Sequence, residues 1–260
     1  MACQPSTAPA GRDQPDQDHL PVAAFQDLVD KVLAILGPGQ GERVLDVGAG
    51  SGYLCRLLKE RGYAPEACDL DPTRFLARDI PFTPADLNQG LPQADGTFDL
   101  TVSLEVVEHL PNHARFFEEI IRVTKPGGRI IVTTPNILNL ASRWNFFVHG
   151  YNQAAPYPID PNLADVSMEH INPIALPQLL FYAEHYGAEL VQLACNRRKK
   201  GATAAAVLLY PLLWGGLRLK LLQKKHAKRH ELHRRHLGWM LSMDSLAGRF
   251  IIAVLQKKRA

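Results

Sequence analysis

The stretch that decides the fold is Arg43-Val44-Leu45-Asp46-Val47-Gly48-Ala49-Gly50-Ser51-Gly52-Tyr53-Leu54. Its first five residues are mostly apolar and partly β-branched, which predicts a buried strand in a parallel sheet. Three alternating glycines follow, and from Tyr53 the apolar spacing becomes helical, with Leu54, Leu57 and Leu58 on one face. The stretch therefore predicts a strand, a loop whose missing Cβ atoms let a ligand approach the backbone, and a helix N-terminus with unpaired N–H groups.

The composition of the whole chain limits its class. At 260 residues and 46% hydrophobic, it is long enough for one α/β domain with an appendage. Its four cysteines are scattered, which fits reduced thiols better than a disulfide or zinc framework. Residues 1–20 lack a basic segment followed by an apolar run, so they predict a disordered tail and not a signal or transit peptide. We expect a cytoplasmic protein.

The glycine spacing points to one ligand class. Dinucleotide-binding loops follow G-x-G-x-x-G, whereas this loop is G-x-G-x-G. With Asp46 at the end of the preceding strand, the loop resembles the first motif of class I S-adenosylmethionine (SAM)-dependent methyltransferases. The resemblance implies a Rossmann-like, doubly wound α/β fold with a seven-stranded sheet whose last strand is antiparallel. It further implies that Gly48, Ala49, Gly50 and Gly52 make room for the methionine portion of SAM, and that Asp46 orders contacts to its amino group.

A second predicted strand, at about residues 63–68, ends in two acidic residues. Asp69 stands at its tip, where a carboxylate can accept hydrogen bonds from ribose hydroxyls, with Leu70 beside it. Asp71 precedes Pro72, which is typical of a helix N-cap. We therefore assign the ribose to Asp69 and the helix cap to Asp71.

Further motifs follow in a fixed order. Asp86-Leu87, then Leu91-Pro92, then Asp95-Gly96-Thr97-Phe98-Asp99 lead into a fourth strand that ends at Leu104, and a Lys-Pro-Gly-Gly turn at residues 125–128 precedes a fifth. This series resembles the methyltransferase family that includes ubiquinone- and menaquinone-biosynthesis enzymes. The resemblance implies that Asp86 contacts the adenine amino group, that the Leu87 amide contacts a ring nitrogen, and that Leu104 borders the cofactor. The alternative for Asp86 is a surface-loop role.

The residues after the fourth strand are the candidate reaction site. Glu105, Glu108 and His109 are spaced i, i+3, i+4, so one helical turn would bring them towards one side. They could hold a divalent cation, or orient a hydroxyl group with His109 as general base. The E-x-x-E-H arrangement resembles that of ubiquinone O-methyltransferases, in which metal dependence and a base role are implied. The alternative is that Glu105 closes the cofactor pocket while Glu108 and His109 cap a helix.

A second base candidate and an acceptor cover lie further along the chain. The resemblance places His170 near the active site, although a lone histidine before a helix is more often structural. Residues 136–168 are loop-rich and aromatic, which resembles the family's variable substrate cover and suggests an apolar acceptor pocket. Some of these aromatic side chains are expected to be ordinary packing.

Charge is divided unevenly along the chain. Residues 196–260 carry 16 Lys and Arg against two acids, whereas residues 1–195 carry 13 against 24. Seventeen uncharged residues, 201–217, are flanked by basic residues on both sides and interrupted by Pro211, which argues against a single membrane crossing. We expect a hairpin at residues 197–237 that lies on an anionic membrane surface. The alternatives are a solvated face, or an apolar helix over the active site or in a dimer interface.

These observations give one organisation. We expect a tail (1–20), a SAM-binding core (21–196), a basic and apolar helical insertion acting as a lid or membrane contact (197–246), and a final strand with a basic tail (247–260). The expected reaction moves a methyl group to a small-molecule or lipid- or quinone-like acceptor, on oxygen, with the enzyme in the cytoplasm or peripheral on the inner membrane face. The alternatives are a non-catalytic SAM-binding or membrane-recruited protein, and an RNA methyltransferase. Nucleic acid is disfavoured because residues 218–236 lack aromatic side chains for base stacking.

Overall fold

The computed structural model describes residues 22–152, 169–221 and 230–259. Three predicted regions lie wholly or partly outside the described residues. They are the tail, the part of the aromatic cover at residues 153–168, and the part of the basic run at residues 222–229. In chain order the elements are α1 (Val22–Leu36), β1 (Arg43–Val47), α2 (Tyr53–Glu60), β2 (Ala64–Asp69), β3 (Phe82–Pro84), β4 (Phe98–Leu104), a 3-10 turn (Val107–His109), α3 (His113–Val123), β5 (Thr124–Pro135), α4 (Leu140–His149), α5 (Leu176–His185), β6 (Ala188–Cys195), α6 (Lys200–Leu221), α7 (His230–Met240), α8 (Met243–Ala247) and β7 (Phe250–Lys257).

The strands form one seven-stranded sheet in the order β3-β2-β1-β4-β5-β7-β6. Neighbouring strands from β3 to β5 run parallel, whereas β7 lies antiparallel between β5 and β6. The predicted fold, including the antiparallel last strand, is confirmed.

Both faces of the sheet are covered, as the continuous apolar run of β1 requires. Val44 faces a cluster that contains Leu28 of α1 and residues of α2, whereas Leu45 and Val47 face a cluster that contains Phe116 of α3. All five side chains are buried. Because alternate residues of a strand point to opposite faces, the side chain of Asp46 is directed to the same face as Val44, towards α2.

The topology brings several chain ends to one edge of the sheet. The parallel strands β1, β2, β4 and β5 end there, and β7 begins there because Phe250 pairs with Pro135. Strand β6 also ends at this edge, since Cys195 pairs with Ile251. The glycine loop after β1, the turn after β4 and the helices α4, α6 and α8 are therefore all attached to the same edge, which we call the carboxyl edge.

Three local predictions were wrong. Asp71 caps no helix, because its carboxylate accepts from the amide and hydroxyl of Thr73 and closes a turn. Residues 125–128 were predicted to form a turn before the fifth strand, but they are part of β5. The strand is irregular there, because these four residues lie opposite the single residue Asp99 of β4 and Gly127 adopts φ +79°. The predicted loop after Asn136 contains α4, whose N-terminus is capped by the Asn139 side chain.

Helix α6 continues through Pro211, where an interruption was predicted. A proline in a helix frees the carbonyl four residues earlier, which here belongs to the exposed Val207. Water can hydrogen-bond this carbonyl, so the helix persists on the surface. Among the helices of the described residues, none combines the length and apolar character needed to cross a membrane.

Replacing Gly52 with Ala should lower the free energy of unfolding by about 1–3 kcal/mol, because residue 52 adopts φ +78° and a Cβ atom would lie 2.6 Å from the Phe75 ring. Urea unfolding measures the effect. The matched control is Gly201→Ala in α6, where a Cβ meets open space and the change should be neutral or stabilising by up to about 1 kcal/mol. Equal midpoints for the two variants would contradict this account of the loop.

Candidate functional site

The glycine loop is fixed by backbone hydrogen bonds and by two packing contacts. The amides of Gly48 and Ala49 both donate to the carbonyl of Cys68, at 2.8 and 3.1 Å. A Cβ at Gly48 would collide with Val106, and one at Gly52 with Phe75. These two glycines are therefore required by the protein's own packing.

Gly50 differs from its neighbours. It adopts φ +52°, and a Cβ placed on it would have no heavy atom within 4 Å. The open space over its backbone lies at the carboxyl edge, beside the N-terminus of α2. Of the three loop glycines, Gly50 is the one that leaves room for a ligand.

Asp46 is a buried acid directly below the loop. Its carboxylate accepts from the Cys55 thiol of α2 at 3.2 Å, a contact that the sequence analysis did not identify. Burial raises the pKa of Asp46 to about 7. The protonated and charged forms are therefore close in free energy at neutral pH, and a cationic ligand group nearby would favour the charged form.

Asp69 reaches the glycine loop from the end of β2. Its carboxylate accepts from the amide of Gly50 at 2.8 Å and remains partly exposed. A carboxylate has about four acceptor positions, so this one retains capacity for ligand hydroxyls. Leu70 beside it is an exposed apolar side chain. Both residues lie at the end of β2, beside the glycine loop.

Asp86 lies in the loop after β3. Its carboxylate accepts from the Asn88 amide and from the side chains of Asn88 and Gln89, and these hydrogen bonds lower its pKa. Leu87 is buried in the core that lies against the sheet. Asp86 therefore organises its own loop and presents an ionised acceptor, so the loop role and the proposed ligand role are compatible.

The chain changes direction sharply after Leu104, the last residue of β4. Glu105 has φ +56°, and it is the only non-glycine residue with positive φ among the described residues. Two hydrogen bonds to Thr133 of β5 hold it there: its amide donates to the Thr133 hydroxyl, and that hydroxyl donates to its carboxylate at 2.7 Å. Strain that is held in place by neighbours is common at functional sites.

Glu108 is fully buried in the 3-10 turn that follows. The Thr134 hydroxyl donates to its carboxylate at 3.1 Å. Burial raises the pKa of Glu108 to about 7, and burial together with the neighbouring Glu108 charge raises the pKa of Glu105 well above its usual value. In the described part of the chain, Oε2 of Glu105 and Oε1 of Glu108 accept no hydrogen bond.

Two imidazoles complete the cluster. Nδ1 of His109 lies 3.0 Å from the carbonyl oxygen of Glu169, and the ring stands edge-on to His170 with centroids 4.8 Å apart. Nε2 of His170 lies 4.0 Å from Oε1 of Glu108. One ligand atom from each of Glu108, His109 and His170 lies within 4.8 Å of the others.

The structure therefore changes the predicted cluster in two ways. Glu105, Glu108 and His109 do not share one helical turn, because the backbone of Glu105 adopts the left-handed conformation and a 3-10 turn follows it. His170, which was considered separately, joins Glu108 and His109. Four residues around the cluster were not identified from the sequence: Thr133, Thr134, Asn172, whose amide donates to the Glu108 carbonyl, and Arg249, whose charge partly opposes the pKa rise of Glu105. The threonines could have been found, since they end β5 beside the end of β4.

Comparison with known proteins identifies a family model. A model described as a methyltransferase domain matches residues 19–193. The match contains strands β1 to β5, the glycine loop, the Glu105–His109 cluster and His170. It ends within β6. Helices α6, α7 and α8 lie beyond it.

Curated relatives match shorter segments. Tocopherol O-methyltransferase from Arabidopsis thaliana is 40% identical over 106 residues, covering 36% of this chain and 30% of that protein. Ubiquinone biosynthesis O-methyltransferase from Caulobacter vibrioides is 30% identical over 116 residues, covering 41% of this chain and 46% of that protein. The chain thus spans less than half the length of each of these relatives.

Solved structures match over most of the chain. A SAM-dependent methyltransferase from Archaeoglobus fulgidus superposes with a TM-score of 0.56 at 21% identity, covering 90% of this chain and 94% of that one. Similarity at this level of identity establishes the fold. The superposition is consistent with the methyltransferase-type sheet described above, with seven strands and an antiparallel β7.

Proposed function

Since this chain belongs to the methyltransferase domain family of class I SAM-dependent enzymes, we propose that it transfers a methyl group. The proposed acceptor is a hydroxyl oxygen of a small, largely apolar molecule. A phenol-like or quinone-like acceptor fits best. Both curated relatives described above are named as O-methyltransferases, one as a tocopherol O-methyltransferase and one as a ubiquinone biosynthesis O-methyltransferase. The reacting oxygen would lie beside the cluster at the end of β4.

SAM would occupy the carboxyl edge over the glycine loop. The open space at Gly50 would take the methionine portion, Asp46 would face its ammonium group, and Asp69 would accept from the ribose hydroxyls. Asp86, Leu87 and Leu104 would border the adenine and the middle of the cofactor. Because the sulfonium carbon is already electrophilic, the protein's main task is to align acceptor and methyl group and to exclude water.

The observation that carries the oxygen target is the pair of buried carboxyls, Glu105 and Glu108. Two adjacent buried carboxyls share one proton unless a cation between them stabilises both charged forms. A phenolic hydroxyl has a pKa of about 10 and must lose its proton as it is methylated. Burial raises the pKa of Glu108 above its usual value, so this carboxylate, with the neighbouring imidazoles of His109 and His170, is suited to accept that proton.

The same residues fit a divalent cation. Glu105 Oε2 and Glu108 Oε1 are buried acceptors without a hydrogen bond among the described residues, and His109 and His170 bring nitrogen ligands close to Glu108. Glu108, His109 and His170 would hold the ion, with the Glu105 carboxyl as a neighbouring acceptor. When bound, a divalent cation lowers the pKa of a coordinated hydroxyl and stabilises the resulting oxyanion.

An acceptor panel tests the proposed reaction. The protein is incubated with SAM carrying an isotopically labelled methyl group and with matched phenols, amines and activated carbon acids of similar apolar size. We expect label on oxygen in the phenols, detected by mass spectrometry. Label only on nitrogen or carbon would contradict the oxygen target, and no transfer to any acceptor would favour a non-catalytic SAM-binding protein.

Treatment with EDTA should abolish turnover, and added Mg²⁺ or Mn²⁺ should restore it, because removal of a cation leaves the carboxyl pair to share a proton. The dissociation constant for SAM should change by less than about threefold, since Asp46, Asp69 and Asp86 make no part of the cation site. Calorimetry measures SAM binding in the same samples. Full activity in chelator would exclude the cation and leave the carboxyl pair and the histidines as proton acceptors.

SAM affinity should rise with pH up to about 7. Asp46 has a raised pKa of about 7, so at lower pH it is protonated and must lose its proton to face the ammonium group of SAM. The limiting slope is about tenfold per pH unit. Asp46→Asn should bind SAM more weakly and without this slope. Calorimetry in buffers of different ionisation enthalpy detects the released proton; a flat profile for the unmodified protein would contradict the role of Asp46.

A further inference from the structure

Helix α6 exposes large apolar side chains to solvent. It is anchored through Ala202 and Ala206, which are buried where α6 packs against the rest of the protein. On other faces, Leu208 and Leu212 are 80% and 72% exposed and lie one helical turn apart. Single exposed leucines need no explanation, but a run of them along one helix indicates a binding surface.

Helix α4 also exposes large aromatic side chains. It contacts α6, and its Trp144 and Phe147 are 66% and 80% exposed with their rings 5.9 Å apart. We call the exposed side chains of Trp144, Phe147, Val207, Leu208, Leu212 and Trp214 the α4/α6 apolar surface. These side chains come from two segments that are far apart in sequence, so the surface belongs to the folded protein.

Basic residues lie near both ends of α6, with Arg197–Lys200 leading into the helix and Arg218 in its last turn. Along the sequence, residues 218–236 carry eight Lys and Arg against one acid. The guanidinium of Arg218 lies 4.6 Å from the centre of the Trp214 ring. An indole next to a guanidinium suits the boundary between lipid headgroups and acyl chains, where the ring is buried and the charge stays at the phosphates.

We propose that the α4/α6 apolar surface, with its basic borders, docks on an anionic phospholipid bilayer. Exposed Leu, Phe and Trp side chains flanked by Lys and Arg have the composition of interfacial segments, in which apolar burial and attraction to anionic lipid add together. A second copy of the chain is a poorer partner. A two-fold interface would bring these net-positive borders against their own copies, and like charges repel.

The position of the surface suits an acceptor dissolved in the bilayer. Helices α4 and α6 both start from the carboxyl edge. Asn136, which follows β5, binds the carbonyls of Asp244, Ser245 and Gly248 through its side-chain amide and so joins α8 to the same edge. Docking of this surface would place the candidate site near the lipid, although bilayer binding itself does not depend on the proposed reaction.

Vesicle co-sedimentation of the full chain tests the proposal. Phosphatidylcholine vesicles with and without phosphatidylglycerol are compared at low and high salt. The protein should bind the anionic vesicles, and the bound-to-free ratio should fall at least about tenfold in pure phosphatidylcholine and again at high salt.

The double variant Leu208→Glu/Leu212→Glu should lower binding to anionic vesicles at least about tenfold, because it removes apolar area and adds two negative charges. The control is Phe181→Glu, which also replaces an exposed apolar side chain with an acid, but on α5, and adds one negative charge. Circular dichroism and SAM binding should be unchanged in both variants, which separates loss of docking from misfolding.

Three results would overturn the proposal. The first is no sedimentation of the unmodified protein with any vesicle. The second is equal binding by the double variant and the Phe181→Glu control. The third is a concentration-dependent dimer that the double variant abolishes while vesicle binding is absent, which would assign the surface to a second copy.

Discussion

Glu108→Gln will lower kcat/KM for methyl transfer by about 10²- to 10³-fold, the scale of losing a positioned acid–base group. Glutamine keeps the size of the buried side chain and can still accept from the Thr134 hydroxyl. It cannot take a proton from the acceptor, and as a neutral group it is a weak cation ligand. The variant therefore separates chemistry from packing.

The rate loss should come with little change in SAM affinity, because Glu108 is not among the residues expected to contact the cofactor. Glu189→Gln on the exposed surface of β6 is the matched control, with activity within about twofold of the unmodified protein. Steady-state kinetics and calorimetry measure both quantities. A Glu108→Gln variant with near-normal kcat/KM would place the reaction elsewhere.

Asp69→Ala will weaken SAM binding by about 1–3 kcal/mol, or roughly fivefold to 150-fold, the scale of losing hydrogen bonds to a charged group. Two effects combine, because Asp69 is expected to accept from the ribose and also holds the Gly50 amide of the glycine loop. The variant should also be slightly less stable, since that amide loses its partner.

Asp71→Ala is the control for Asp69→Ala. It removes a carboxylate two residues away, but this group closes an exposed turn with Thr73 and should leave the dissociation constant within about threefold. Asp69→Asn adds a second test, since an amide can still accept from Gly50 while losing the charge. If Asp69→Ala and Asp71→Ala bind SAM equally well, the ribose assignment is wrong.

The sheet could be predicted because its signals are local and repeated. Strands β1, β2 and β4 are short, and each ends in or directly before a glycine or an acid, namely Gly48, Asp69 and Glu105. The pattern of β1 with its glycine loop predicts both the strand and the following helix. Helix α4 was missed because its aromatic residues, including Trp144 and Phe147, were interpreted as part of a loop-rich substrate cover, although their spacing places them on one helix face. The continuity of α6 through Pro211 was missed because a proline is disfavoured within a helix, and solvent exposure offsets that preference here.

The candidate site was predictable only in part, because its geometry depends on contacts between distant residues. The positions of Asp46, Gly50 and Asp69 follow from strand ends, which the sequence marks clearly. The meeting of His170 with Glu108 spans 62 positions of chain, and the left-handed backbone of Glu105 depends on Thr133 in another strand. Spacing along one segment predicted a helical turn for the cluster, whereas the packing of β4 against β5 decides its actual shape.

The central claim is that SAM lies over the glycine loop with its reactive end directed at the carboxyl cluster. A crystal structure of the protein with S-adenosylhomocysteine tests it most directly. We expect the ribose hydroxyls within hydrogen-bond distance of Asp69, the amino group beside Asp46, and the sulfur facing the space bordered by Glu105, Glu108 and His170. A ribose away from Asp69, or a sulfur directed away from that cluster, would contradict the account.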